Sequence, residues 1–111
     1  MRRELAQIRP DGTSATLLFS PGNSNPYTID LINICNTSAG PANISIYHDS
    51  DGTTYDETTA LFFSKTINAN ETFQIEVEIS HDLQAGGIAV QTSVANAITF
   101  TAYGEVSGEV R

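Results

Sequence analysis

Hydrophobic and polar residues alternate along much of this chain. From Phe73 to Ser80, Phe73, Ile75, Val77 and Ile79 fall on one side, and Gln74, Glu76, Glu78 and Ser80 on the other. A period of two marks an extended strand with one dry face and one wet face. Glu76 and Glu78 share the wet face, and their repulsion discourages a further edge from adding there. Similar runs predict strands over 15–19, 27–35, 42–48, 62–67, 88–92 and 98–103. The run from Tyr27 changes phase: Ile29 and Leu31 lie on one face, Ile32 and Ile34 on the other. Either both faces are covered or a bulge shifts the register.

Turn residues separate these runs. Ser20-Pro21-Gly22-Asn23-Ser24-Asn25-Pro26, Asn36-Thr37-Ser38-Ala39-Gly40-Pro41 and Asp49-Ser50-Asp51-Gly52 all read as loops or turns. Asn68-Ala69-Asn70-Glu71 reads as a hairpin turn into the Phe73 strand. Asp56 to Leu61 predicts one helical turn, with Asp56 as its cap. Short strands, about eight of them at roughly 8–12-residue spacing, define an all-β fold: an antiparallel β-sandwich, jelly-roll or Ig-like. The 111 residues fit one domain. The expected division is an N-terminal arm over 1–10, the sandwich over 11–105 and a C-terminal tail over 106–111.

Charge sharpens the picture. The formal net charge is −8, which argues against nucleic acid and anionic membranes as partners, since both demand a basic face. Arg2, Arg3 and Arg9 concentrate the positive charge near the start, leaving Lys65 and Arg111 elsewhere. The expectation is that the arm reaches away from the sandwich, its guanidinium groups pairing with carboxylates of a partner and Leu5 and Ile8 buried beside them. No run approaches the roughly 20 apolar residues of a membrane helix. The charged Met1-Arg2-Arg3 is followed by no apolar signal region, so synthesis in a cytoplasm is expected. The single Cys35 cannot form an internal disulfide and reads as a small buried hydrophobe.

Catalytic motifs are absent: no phosphate-cradling glycine loop, no His/Cys metal spacing and no Gly-x-Ser-x-Gly elbow. His48-Asp49 and His81-Asp82 are neighbours in sequence, which does not make a triad. No enzyme and no cofactor is expected. Asp49, Asp51, Asp56 and Glu57 are weak candidates for Ca²⁺, offering hard oxygens without the spacing of a twelve-residue calcium loop. Tyr47 and Tyr55 beside these acids offer a possible sugar platform, although aromatic residues at strand ends more often close a core rim. The Asn-x-Ser/Thr triplets at Asn36, Asn43 and Asn70 are what chance provides in a chain this rich in those residues.

The stretch Ile46 to Leu61, with Leu5-Ala6-Gln7-Ile8-Arg9-Pro10, Ile34-Cys35-Asn36-Thr37 and Ile98 to Gly104, resembles small structural proteins encoded among the virion genes of tailed bacteriophages. The resemblance implies a capsid cement (decoration) protein that binds and stabilises the major capsid protein shell or another virion protein. It implies a place on the capsid surface of a virion made in a host cytoplasm, and a homo-oligomer, a trimer before a dimer. The alternative is a receptor- or glycan-binding module of a tail fibre or spike. The expected interface residues are Arg2, Arg3, Leu5, Ile8, Arg9, Leu61 and Phe62. Leu17-Leu18-Phe19 and Leu61-Phe62-Phe63 each hold three apolar residues in a row, which no single strand face can bury, so part of each is available to a neighbour.

Overall fold

The computed structural model describes residues 3–19, 27–49, 54–81 and 87–106. They form strands β1 (Arg3–Ile8), β2 (Thr16–Phe19), β3 (Tyr27–Asn36), β4 (Ala42–Asp49), β5 (Ala60–Ile67), β6 (Thr72–His81), β7 (Gly87–Thr92) and β8 (Ile98–Val106). The strands make two four-stranded antiparallel sheets, ordered β1-β8-β3-β6 and β2-β7-β4-β5. The order follows one rule: β1 pairs with β8, β2 with β7, β3 with β6 and β4 with β5. The chain is thus a ribbon folded back on itself at the β4–β5 connection and rolled, so that β8 also meets β3 and β7 also meets β4. That path is a jelly roll, which decides between the two sandwich forms the strand spacing allows.

The core lies between the sheets. Ile29, Ile32, Ile34, Ile44, Ile46, Ile88, Val90, Ile98 and Phe100 are all buried there. Burying each such side chain contributes about 1.5–3 kcal/mol. Phe73, Ile75, Val77 and Ile79 all pack on this core, as their alternation predicts. The phase change in β3 is a bulge. Ile29 stands opposite Gly104 and Leu31 opposite Tyr103, leaving Asp30 as the extra residue. Ile29, Ile32 and Ile34 therefore all turn inward.

Four expectations are corrected. Residues 3–8 are not a detached arm. They form β1, an edge strand registered on β8, with Leu5, Ala6 and Ile8 packed against the core. Arg9 and Pro10 are tied down as well: Arg9 Nη2 donates to the Asn96 carbonyl (2.6 Å) and to Thr37 Oγ1 (3.1 Å), and Asn96 N–H donates to the Pro10 carbonyl (2.9 Å). The 68–71 turn is not a hairpin within one sheet. It carries the chain from β5 in one sheet to β6 in the other, with Asn70 at φ 59°. Asparagine tolerates that left-handed backbone better than most residues. There is no helical turn at 56–61; Thr59 N–H bonds back to the Asp56 carbonyl (3.0 Å) in a tight turn, and Leu61 already belongs to β5. Cys35 is half-buried on the outer face, opposite Thr72 and Thr99, because the inward phase belongs to Ile32 and Ile34. Of the expected tail, Val106 ends β8, and 107–111 lie outside the described residues.

Candidate interaction surface

The two sheets present different outer faces. On the β1-β8-β3-β6 sheet, a broad open depression is lined by Arg3, Glu4, Asp30, Glu76, Tyr103 and Glu105. Register explains the grouping: Leu31 stands beside both Glu76 and Tyr103, and Tyr103 beside Glu4. The wet face expected from Gln74 and Glu76 is thus one strip of an acidic surface.

On the β2-β7-β4-β5 sheet, Leu17, Ala89, Tyr47 and Ala60 form a row across all four strands. None carries a charge. Tyr47 and Ala89 are buried although they face outward. The 11–15 segment and Tyr55 lie over this face: Gln91 Nε2 donates to the Thr13 carbonyl (3.0 Å), and a Cβ on Gly87 would meet both Leu17 Cδ1 and the Tyr55 hydroxyl at 3.0 Å. Beside this cover, Leu17 is 50% exposed, Phe63 57% and Leu61 45%. Phe63 borders a depression of about 210 Å³ lined by Thr13, Ser45, Tyr47 and Gln91. The exposed apolar side chains thus stand on the two edge strands of this sheet, Leu17 on β2 and Leu61 and Phe63 on β5.

The expected interface residues divide. Arg2 lies outside the described residues. Arg3 is exposed and lines the acidic depression. Leu5 and Ile8 serve the chain's own core, and Arg9 clamps its own β7–β8 turn. In the apolar triplet, Leu61 is exposed as expected, but Phe62 turns inward against the core and Phe63 faces out. The cause is a register shift in β5: Lys65 stands opposite Ile44 but Phe62 opposite Ile46, with Ser64 between them at φ 54°. In Leu17-Leu18-Phe19, Leu18 enters the core and Leu17 is left outside.

The acidic loop is organised around its own backbone. Thr54 N–H donates to Asp49 Oδ2 (2.6 Å). Asp56 Oδ1 accepts from Thr58 N–H (2.9 Å) and Thr58 Oγ1–H (2.6 Å). Glu57 is exposed on the same turn, and Asp51 lies outside the described residues. Among the described residues, no three His, Cys, Asp or Glu side chains come together as a metal site. The Thr58 hydroxyl, and then the Thr58 N–H, hold the Asp56 carboxyl below its usual 3.8, because both bonds favour the ionised form. A lowered folded-state value means that this contribution is complete above the unfolded value and is lost as pH falls through the folded one. An NMR titration is expected to place the Asp56 midpoint below 3.8 and to show it rising in Thr58→Val; an unshifted midpoint in the native chain would contradict the turn.

Tyr47 offers no sugar platform: it is 2% exposed, and its hydroxyl donates to Gln91 Oε1. Tyr55 is half-buried. His48 is half-buried on the inward phase of β4, and the His81 side chain lies outside the described residues. Asn36 is fully buried. Its Nδ2 donates to the Gly40 and Ile67 carbonyls (3.0 Å each), so it cannot serve as a glycosylation acceptor in the fold.

Among the described residues, fold and surface together define an eight-stranded jelly-roll module with one acidic outer face and one crossed by an uncharged row. It is similar to a chain of the T13 viral particle of infectious bursal disease virus, at a TM-score of 0.56 and 11% identity over 97% of this chain. The module spans 31% of the length of that viral chain. It is also similar to the tobacco streak virus coat protein, solved as a dimer, at a TM-score of 0.49 and 10% identity over 100% of this chain and 86% of that one. No protein-family model and no curated protein sequence matches the chain.

Proposed function

We propose that this chain is a virion structural protein: a non-catalytic cement or decoration protein that binds the major capsid protein shell as a homo-oligomer. The observation that carries the reading is the rolled ribbon itself, shared at the level of fold with a chain of a viral particle. The exposed Leu17, Leu61 and Phe63 support it, since a protein acting by attachment needs apolar surface to bury. The phage assignment, the capsid-surface location and the preference for a trimer come from the resemblance of the Ile46–Leu61 stretch and its companions. The glycan-binding alternative is not favoured, because Tyr47 is occupied inside the chain.

The test is addition of purified protein to virus particles that lack it, followed by sedimentation of the particles and by cryo-electron microscopy. Stoichiometric attachment to the shell, with raised resistance of the particles to heat, is the expected result. Attachment at the tail alone, or none, would overturn the shell reading.

A further inference from the structure

The outer face of the β2-β7-β4-β5 sheet, crossed by the uncharged row Leu17–Ala89–Tyr47–Ala60, has the features of a contact between copies. Phe63 projects as a knob, 57% exposed. Next to it, with Phe63 on its border, lies the depression of about 210 Å³ lined by Thr13, Ser45, Tyr47 and Gln91. Knob and hole occur on one surface, so identical copies can each fill the next copy's hole, the arrangement that closed symmetric oligomers require. We propose that this face is where a second copy of the chain docks, Phe63 of each copy seating in the Thr13–Tyr47–Gln91 depression of its neighbour.

Charge selects this face over the opposite one. The chain carries a net −8. Contact through the β1-β8-β3-β6 sheet would bring the four carboxylates Glu4, Asp30, Glu76 and Glu105 of one copy, with Arg3 among them, against the same residues of another, an excess of negative charge on both sides. Like charges brought together at an interface disfavour that contact. The row Leu17–Ala89–Tyr47–Ala60 sets no charge against its partner and leaves the acidic sheets turned outward. Size permits it too. The molecule measures 42 × 28 × 21 Å, so a broad side can supply the about 800 Å² per partner of a standard interface. The half-buried Tyr47–Gln91 hydrogen bond holds this part of the lining in one shape before docking, which limits the ordering cost on association.

The proposal rests on the homo-oligomer of the preceding reading but not on attachment to a shell, and the two fail separately. Sedimentation velocity of the purified full chain over a range of concentrations is the measurement. The native chain is expected to associate. Phe63→Asp removes the knob and Thr13→Arg fills the hole, and each is expected to weaken association by about thirtyfold or more, the loss of one hot spot. Both positions are exposed, and Thr13 contributes only its carbonyl, so the variants should keep native circular dichroism and unfolding midpoints. Glu76→Lys on the opposite face should leave association no weaker. A native chain that stays monomeric, or an oligomer that both Phe63→Asp and Thr13→Arg leave intact, overturns the proposal. Native monomers whose particle attachment is lost on Phe63→Asp also overturn it, and assign the face to the shell.

Discussion

Replacing Gly104 by alanine is expected to destabilise the domain by about 4 kcal/mol or more, in the range reserved for severe core defects. An added Cβ would lie 1.9 Å from the Thr28 carbonyl oxygen and 2.9 Å from Ile29 Cα. Both are backbone atoms, so no side chain can rotate out of the way. The crowding arises where β3 bulges at Asp30 and its backbone crosses close over β8. Relief would require pulling β3 from β8 at the centre of the acidic sheet, or ironing out the bulge. Removing the bulge would turn Ile29 outward by the period-two rule. Gly12→Ala is the control, because nothing lies within 4 Å of its added Cβ; it should stay within about 0.5 kcal/mol of the native chain. Urea unfolding of the two variants measures the contrast, and equal midpoints would show that the β3–β8 approach is looser than the structure has it.

Asn36→Ala is expected to cost about 2–4 kcal/mol, the consequence of orphaning buried polar groups rather than of losing volume. The Asn36 side chain is fully buried at the end of β3. Its Nδ2 donates to the carbonyls of Gly40 and Ile67, and its Oδ1 accepts from Ser38 N–H (2.9 Å) and from the Ser38 Oγ–H (2.7 Å). One amide thereby joins the β3–β4 turn to the end of β5, across the two sheets. Asn36→Leu keeps the bulk and loses all four bonds, so it should fare no better than alanine. Thermal and urea unfolding report the change. A leucine variant as stable as the native chain would mean that packing, not hydrogen bonding, holds this corner.

The sandwich was legible because its central strands bury one face and wet the other. Phe73 to Ile79 shows the alternation without interruption, and Ile32 and Ile34 sit on the inward face that the phase change allowed. Three things were not legible, each for a physical reason. β1 reads Arg-Glu-Leu-Ala-Gln-Ile, with its alternation broken by a register shift between Glu4 and Ala6. Its partner also lies far away in sequence, with Gln7 bonded to Thr101. Local pattern carries no information about a partner so distant. In β5, counting back in twos from the buried Ile67 places Phe63 inside; the shift at Ser64 reverses the phase and places Phe62 there instead. Asn36 sits in a run of loop-forming residues, and only the meeting of β3 with β5 makes that position interior. The triplets Leu17-Leu18-Phe19 and Leu61-Phe62-Phe63 did signal surplus apolar surface. Which member of each faces out is set by tertiary register.

The pairing of first strand with last, second with seventh and third with sixth fixes how this molecule can acquire its structure in time. Among the described strands, only β4 and β5 are neighbours both along the chain and within a sheet. Their hairpin can form in about 1–10 μs, and every other partnership must wait for a longer loop to close, at growing entropic expense. Folding should therefore zip outward from the β4–β5 end and finish at the termini, on the slow side for a domain of this size. During synthesis β1 emerges first and its partner β8 emerges last of the eight. For most of translation the first strands have no sheet to join. Completion of the fold thus waits until β8 has emerged, and the edges exposed in that interval are where a shortage of folding assistance would turn product into aggregate.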